Sequence, residues 1–183
     1  MFSLFILLFE RVGLIILIAY LLLNMPSFKQ RLTNRKKWST QALLILIFGL
    51  FAIISNFSGI EIQNGEVSSN ILLAKLSEQA SSVNTRTLTI GISGITGGPI
   101  VGIAVGAISG IVRFYQGGID PQVYVFSSLF IGLAAGLYGQ KFIKKESFPL
   151  PAKGALMGAG VEMIQMACIL LFSSSFTDAW QLV

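Results

Sequence analysis

Long apolar runs alternate with short polar segments along the whole chain. The runs 12–25, 40–60, 87–112 and 123–139 carry no charged residue, and the run 154–176 carries one, Glu162. Uncharged runs of about 18 residues or more have the length of a membrane-spanning helix. The pattern predicts helices over Phe2–Met25, Thr40–Ile60, Val123–Gly139 and Gly154–Phe176, with a further apolar segment between the second and third. The fold class expected is an all-α, polytopic, glycine-rich membrane bundle, with a broken or re-entrant helical hairpin at about 86–112.

The polar segments orient these helices. The segment PSFKQRLTNRKKW at 26–38 has five Lys or Arg and no acid, and QKFIKKESFPLPAK at 140–153 has four lysines against Glu146. Basic loops stay in the cytoplasm. The segment 61–83 is polar and slightly acidic, with Glu61, Glu66, Lys75 and Glu78, and is expected outside. Both ends of the chain are then outside as well.

Parity constrains the middle. An odd number of crossings must separate an outer 61–83 from an inner 140–153, and 123–139 supplies one. The stretch between Arg86 and Arg113 should therefore return to the side it starts from. Gly97-Gly98-Pro99 is the natural break, because Pro disfavours helix at the residue before it and lacks an amide hydrogen. The halves Thr87–Gly97 and Pro99–Val112 would reach roughly 16 and 21 Å, short of a ~30 Å hydrocarbon core. Within the stretch, Gly98, Gly102, Gly106 and Gly110 recur every four residues. At helical pitch they form one smooth face for close backbone packing. Gly132/Gly136 and Gly154/Gly158 read as further packing pairs.

A hairpin brings Arg86 and Arg113 together near the outer face. Asn84 and Thr85 are placed to cap the first half-helix, and Asp120-Pro121 to start the next helix, with Asp120 as N-cap. Two guanidinium groups near helix N-termini suit a small carboxylate or phosphate. Tyr124 and Ser127, one turn apart, can add hydroxyls. The plainer alternative makes the two arginines interfacial, or pairs them with Asp120. Glu10 and Arg11 lie in the first apolar segment, where an ion pair is the simpler reading and a signalling role the other. Glu162 can pair with Arg11 or Arg113, or act as a proton-sensitive group.

Composition removes several classes. Apolar residues make up 54% and charged residues 11% of the chain. Mean hydropathy is +0.77. Thirteen Lys and Arg against eight acids give +5, which in a membrane protein sets orientation and gives no case for nucleic-acid binding. There is no histidine, and Cys168 is the single cysteine. No intramolecular disulfide, Cys/His metal site or histidine-dependent triad can form. No nucleotide loop or pair of catalytic carboxylates occurs, so no cofactor, metal or catalytic residue is expected of this chain.

Several segments together resemble the membrane sensor region of LytS-type histidine kinases. They are LLFERVGLIILIAYLLLN at 7–24, SNFSGI at 55–60, the NTR…GGP…R…GG pattern at 84–118 and EMIQM at 162–166. The resemblance covers nearly the whole chain. It implies one sensor domain over 1–183 in a multi-pass protein of the bacterial plasma membrane, stopping before a last helix and the cytoplasmic GAF and kinase modules. It implies a homodimer, phosphotransfer to a LytTR-type response regulator, and control of murein hydrolase, holin-like or pyruvate-uptake genes. It implies an extracellular pyruvate signal, with the ligand-linked arginines at Arg86 and Arg113. A small-solute carrier component and a purely structural membrane module are the competing functions.

Overall fold

The computed structural model describes residues 34–63, 66–68, 75–76, 81–83, 85–145, 147 and 149–173, with Phe9, Gly13, Asn24 and Leu32 as single positions. In chain order these form α1 (Trp38–Phe57), β1 (Ile60–Gln63), β2 (Glu66–Ser68), β3 (Ser81–Val83), α2 (Arg86–Gly97), α3 (Pro99–Gln116), α4 (Pro121–Lys144) and α5 (Pro151–Phe172). The expected helix over 2–25, with Glu10 and Arg11, lies outside the described residues, as do Asn84 and the segment after Ser173.

The bundle buries polar side chains beside an apolar core of Leu44, Ala52, Ile90, Val101, Val105 and Ile131. Its interior holds Thr40, Asn56, Arg86, Ser93, Ser109, Arg113, Gln116, Ser128 and Gln165, all buried. Its surface shows Leu46, Leu50, Ile103, Ile111, Phe126, Phe130, Leu137 and Leu170. Lipid tails are as apolar as leucine, so burying leucine gives little drive in a bilayer; small residues and interhelical hydrogen bonds hold such bundles instead. The helices α1, α3, α4 and residues 152–172 of α5 are long and apolar enough to cross a membrane. The chain is a polytopic, predominantly helical membrane protein.

The chain breaks at Gly98. Gly98 has φ 85° and ψ −171° and serves as both the C-cap of α2 and the N-cap of α3. Only glycine adopts this backbone freely. Pro99 then begins α3, where its fixed φ suits a first turn. The second half of the expected hairpin is longer than the sequence predicts: α3 has 18 residues, about 27 Å, and is long enough to cross a membrane, against 12 in α2. Arg113 does not end α3 because it is buried with partners inside the bundle, and Gln116 is buried too.

Close backbone approach locks α2, α3 and α4 together. A Cβ built on Gly102 would lie 2.2 Å from the Gly132 carbonyl oxygen, one on Gly106 2.4 Å from that of Ser128, and one on Gly110 2.9 Å from Val125 Cα. A Cβ on Gly136 would lie 2.4 Å from Pro99 Cα. The pairings 99/136, 102/132, 106/128 and 110/125 set α3 antiparallel to α4. Next to α3, α4 also receives α2, in parallel: Gly94 meets Ala135 and Gly136, and Gly139 meets Ile95. The α5 glycines differ. Gly154 and Gly158 have nothing within 4 Å of a built Cβ, so that expected packing pair faces open space among the described residues.

Each end of the bundle is tied across distant segments. At one end, Arg35 Nη2 donates to the Ser147 carbonyl at 2.9 Å, joining the two basic segments. Here α4 runs to Lys144, beyond the expected Gly139, with Lys141 and Lys144 in its last turn. Cations suit a helix C-terminus, so these lysines prolong the helix. At the other end, the 61–83 segment contains a three-stranded antiparallel sheet in the order β2-β1-β3, an element the apolar pattern did not signal. Ile60 pairs with Val83. The Leu76 amide donates to the Gln116 carbonyl at 2.8 Å. Asp120 precedes Pro121 with φ 44° and ψ 56°, and gives α4 no side-chain cap. Its carboxylate accepts from Gln122 Nε2 and from Ser173 Oγ instead, tying the start of α4 to the end of α5.

Candidate functional site

The site forms where α2 starts. Because α2 runs parallel to α4 and Arg86 meets Ser128, α2 begins roughly 10 Å along α4 from its first residue. Arg86 is therefore inside the bundle, where the sequence placed it near the outer face. Short helices with buried ends are tolerated in membranes only when enclosed by protein or lining a cavity.

Two cations share one aromatic ring there. Arg86 Cζ is 4.7 Å and Arg113 Cζ 4.5 Å from the centre of the Tyr124 ring. All three side chains are buried: Arg86 is 3%, Arg113 1% and Tyr124 5% exposed. Both distances fall within cation–π range. Arg86 donates through Nη1 to Ser128 Oγ and through Nη2 to Gln165 Oε1, each at 3.3 Å. Arg113 donates through Nη1 to the Gly117 carbonyl one turn on. Its Nη2 is buried with no acceptor among the described residues. Gln165 Nε2 is likewise buried without an acceptor.

A polar cluster supports the site from α1. Asn56 Nδ2 donates to the Ala52 carbonyl at 2.9 Å and to Ser109 Oγ at 3.0 Å, and the Asn56 carbonyl accepts from Gln116 Nε2 at 3.1 Å. Ser55 and Thr85 share a hydrogen bond between hydroxyls at 2.9 Å. These bonds join α1 to the start of α2 and the end of α3.

The expected site residues are thus placed unevenly. Arg86, Arg113 and Tyr124 come together. Ser127 does not reach them: its hydroxyl turns back to the Tyr124 carbonyl at 3.3 Å. Ser128, four residues from Tyr124 instead of three, is the hydroxyl on Arg86. Thr85 is the N-cap of α2 but makes no side-chain cap, because its hydroxyl is engaged with Ser55. Arg113 is not paired with Asp120, and Glu162 does not reach Arg113. Glu162 is exposed on the rim of a cleft of about 260 Å³ between α2 and α5, lined by Thr87, Gly91, Met157 and Val161 among others. Its pairing with Arg11 lies outside the described residues, as does Asn84. No group of three or more metal-ligating side chains occurs among the described residues. Sequence reasoning passed over Ser128, Gln116 and Asn56. Gln165 figures in it only within the segment EMIQM at 162–166. A polar residue inside an apolar run was the one available signal for each.

Fold and site together define a polytopic helical membrane module built around a buried pair of arginines. The chain belongs to the family described as 5TMR of 5TMR-LYT, whose model matches residues 25–183. Relatives similar over all 183 residues include a sensor protein LytS of Staphylococcus epidermidis at 51% identity and one of Enterococcus faecalis at 54%. A sensor histidine kinase/phosphatase LytS of Staphylococcus aureus is 47% identical over the same span. The chain covers 31% of the length of each of these relatives. No solved structure matches it. The chain is a LytS-type sensor membrane region, multi-pass in the cell membrane.

Proposed function

We propose that this chain is the input module of a two-component sensor kinase and binds a small extracellular carboxylate between Arg86 and Arg113. The observation that carries the reading is the convergence of two buried guanidiniums on one Tyr124 ring, with Arg113 Nη2 lacking an acceptor among the described residues. Like charges in a low-dielectric interior repel, and a buried donor left unmade is costly. A carboxylate relieves both, accepting charge-assisted hydrogen bonds from planar forks. Pyruvate is the preferred ligand on family resemblance alone. A cytoplasmic kinase outside this chain would relay the signal within a homodimer to a LytTR-type regulator, acting on murein hydrolase, holin-like or pyruvate-uptake genes. Isothermal titration of the purified protein with pyruvate tests the binding step. No heat of binding, and no ligand-induced rise in melting temperature, would overturn it.

The orientation follows from charge. The end that gathers Arg35, Lys36, Lys37, Lys141 and Lys144 is read as cytoplasmic, and the end carrying the sheet as outer. The hairpin of α2 and α3 then starts and finishes outside. In a Cys168→Ser background, an impermeant thiol reagent applied to intact cells is expected to label Gln122→Cys and leave Lys145→Cys unlabelled until the cells are opened. The reverse pattern would invert the topology and place the site's mouth in the cytoplasm.

A further inference from the structure

We infer that Gln165 selects among small carboxylates by donating its amide N–H to an oxygen on the ligand's second carbon. The inference rests on the two-arginine reading above and names the ligand class: 2-oxo or 2-hydroxy carboxylates. Gln165 lies on α5, far in sequence from both arginines, and is 7% exposed. The orientation of its amide is fixed by chemistry. Arg86 offers only donors, so the Gln165 atom facing Arg86 Nη2 at 3.3 Å must be Oε1. Nε2 is thereby turned away from that contact. It is buried with no acceptor among the described residues, beside the same guanidinium that would hold the carboxylate.

The chemistry of the vacant donor narrows the ligand. A buried, neutral amide N–H has no charge to offer a second carboxylate, but suits a carbonyl or hydroxyl oxygen. In a 2-oxo or 2-hydroxy acid that oxygen lies on the atom next to the carboxyl carbon. One group can then face the arginines while its neighbour faces Gln165. A carboxylate with no oxygen on its second carbon leaves the amide unmade, and sites built to hydrogen-bond an oxygen discriminate strongly against analogues lacking it. Gln165 also positions Arg86 through Oε1. Removing it should weaken all carboxylates somewhat, so the diagnostic quantity is a ratio.

Pyruvate, lactate and propionate have three carbons each and differ at the second. Titrated into the protein in lipid nanodiscs, pyruvate or lactate is expected to bind roughly tenfold or more tightly than propionate. In Gln165→Met, of similar length but without the donor, the ratio is expected to fall towards one while propionate itself still binds. Equal affinities for all three ligands in the wild type would overturn the inference and leave the carboxylate site standing. An undiminished ratio in Gln165→Met would do the same, showing a positioning role only. No binding of any of the three would overturn the two-arginine reading and this inference with it. Should Gln165→Met not fold, Gln165→Glu, which keeps an oxygen for Arg86 and loses the amide N–H, is read for the same fall in the ratio.

Discussion

Gly102→Ala is expected to cost the folded bundle about 3 kcal/mol or more, a large effect for one methyl group. The added Cβ would sit 2.2 Å from the Gly132 carbonyl oxygen and 3.0 Å from Gly94 Cα. Both obstacles are backbone, so no side-chain rotation can make room. The helices α3 and α4 would have to separate, and the contacts 106/128, 110/125 and 99/136 along the same seam would loosen with them. Gly132→Ala should behave alike, since its Cβ would lie 2.1 Å from the Gly102 oxygen. Gly154→Ala is the control. It also replaces a helical glycine, but with no described atom within 4 Å, and should leave stability unchanged or raise it by up to about 1 kcal/mol through helix propensity. Melting of the purified variants in one detergent is the measurement. Equal melting temperatures for Gly102→Ala and Gly154→Ala would mean that the α3–α4 backbone contact is absent.

The contrast between these glycines marks a boundary of what sequence can carry. A spacing of four residues gives a helix face, and Gly98 to Gly110 and Gly154/Gly158 have it equally. Spacing does not name a partner. In the folded bundle Gly102, Gly106 and Gly110 meet α4, while Gly154 and Gly158 meet nothing described. The long helices α1, α4 and α5 were readable, in their order, because an apolar run in a charge-poor chain has few other fates. Their ends were less readable. Charge predicts helix ends at Val112 and at Gly139, yet Arg113 is buried inside the bundle and Lys141 and Lys144 favour a helix C-terminus. The strands β1 to β3 are three or four residues long and polar, too short to show a period against the apolar helices around them.

The same limit applied at the site. Two cations flanking an uncharged stretch with a Gly-Gly-Pro break predict that Arg86 and Arg113 come together, because a reversal at Gly98 leaves little choice. The third dimension was missing. Which hydroxyl of α4 faces Arg86 depends on the rotation of α4, and a single residue separates Ser127 from Ser128. The depth of Arg86 depends on how far the chain descends before α2 starts. Gln165 comes from a helix nearly eighty residues away in sequence, and no local pattern ties it to Arg86.

The double variant Arg86→Lys/Arg113→Lys is expected to lose carboxylate binding altogether, and each single variant to weaken it roughly 10- to 150-fold, the equivalent of one charge-assisted hydrogen bond at about 1.5–3 kcal/mol. Lysine keeps the charge, so the loss would come from geometry. A guanidinium can lie flat on Tyr124 while two of its N–H groups face a carboxylate; an ammonium presents a point charge and cannot do both in the same way. Binding and stability separate this role from a structural one. A ligand near 100 times its Kd should raise the apparent stability of the wild type by about 2.7 kcal/mol, and that of the double variant not at all. Without ligand, Arg113→Lys should melt close to the wild type, because the charge over Tyr124 is kept and the hydrogen bond to the Gly117 carbonyl is within a lysine's means. Arginines serving only to hold the bundle would give the opposite pair of results: a fall in melting temperature without ligand, and unaltered carboxylate affinity in whatever protein remains folded.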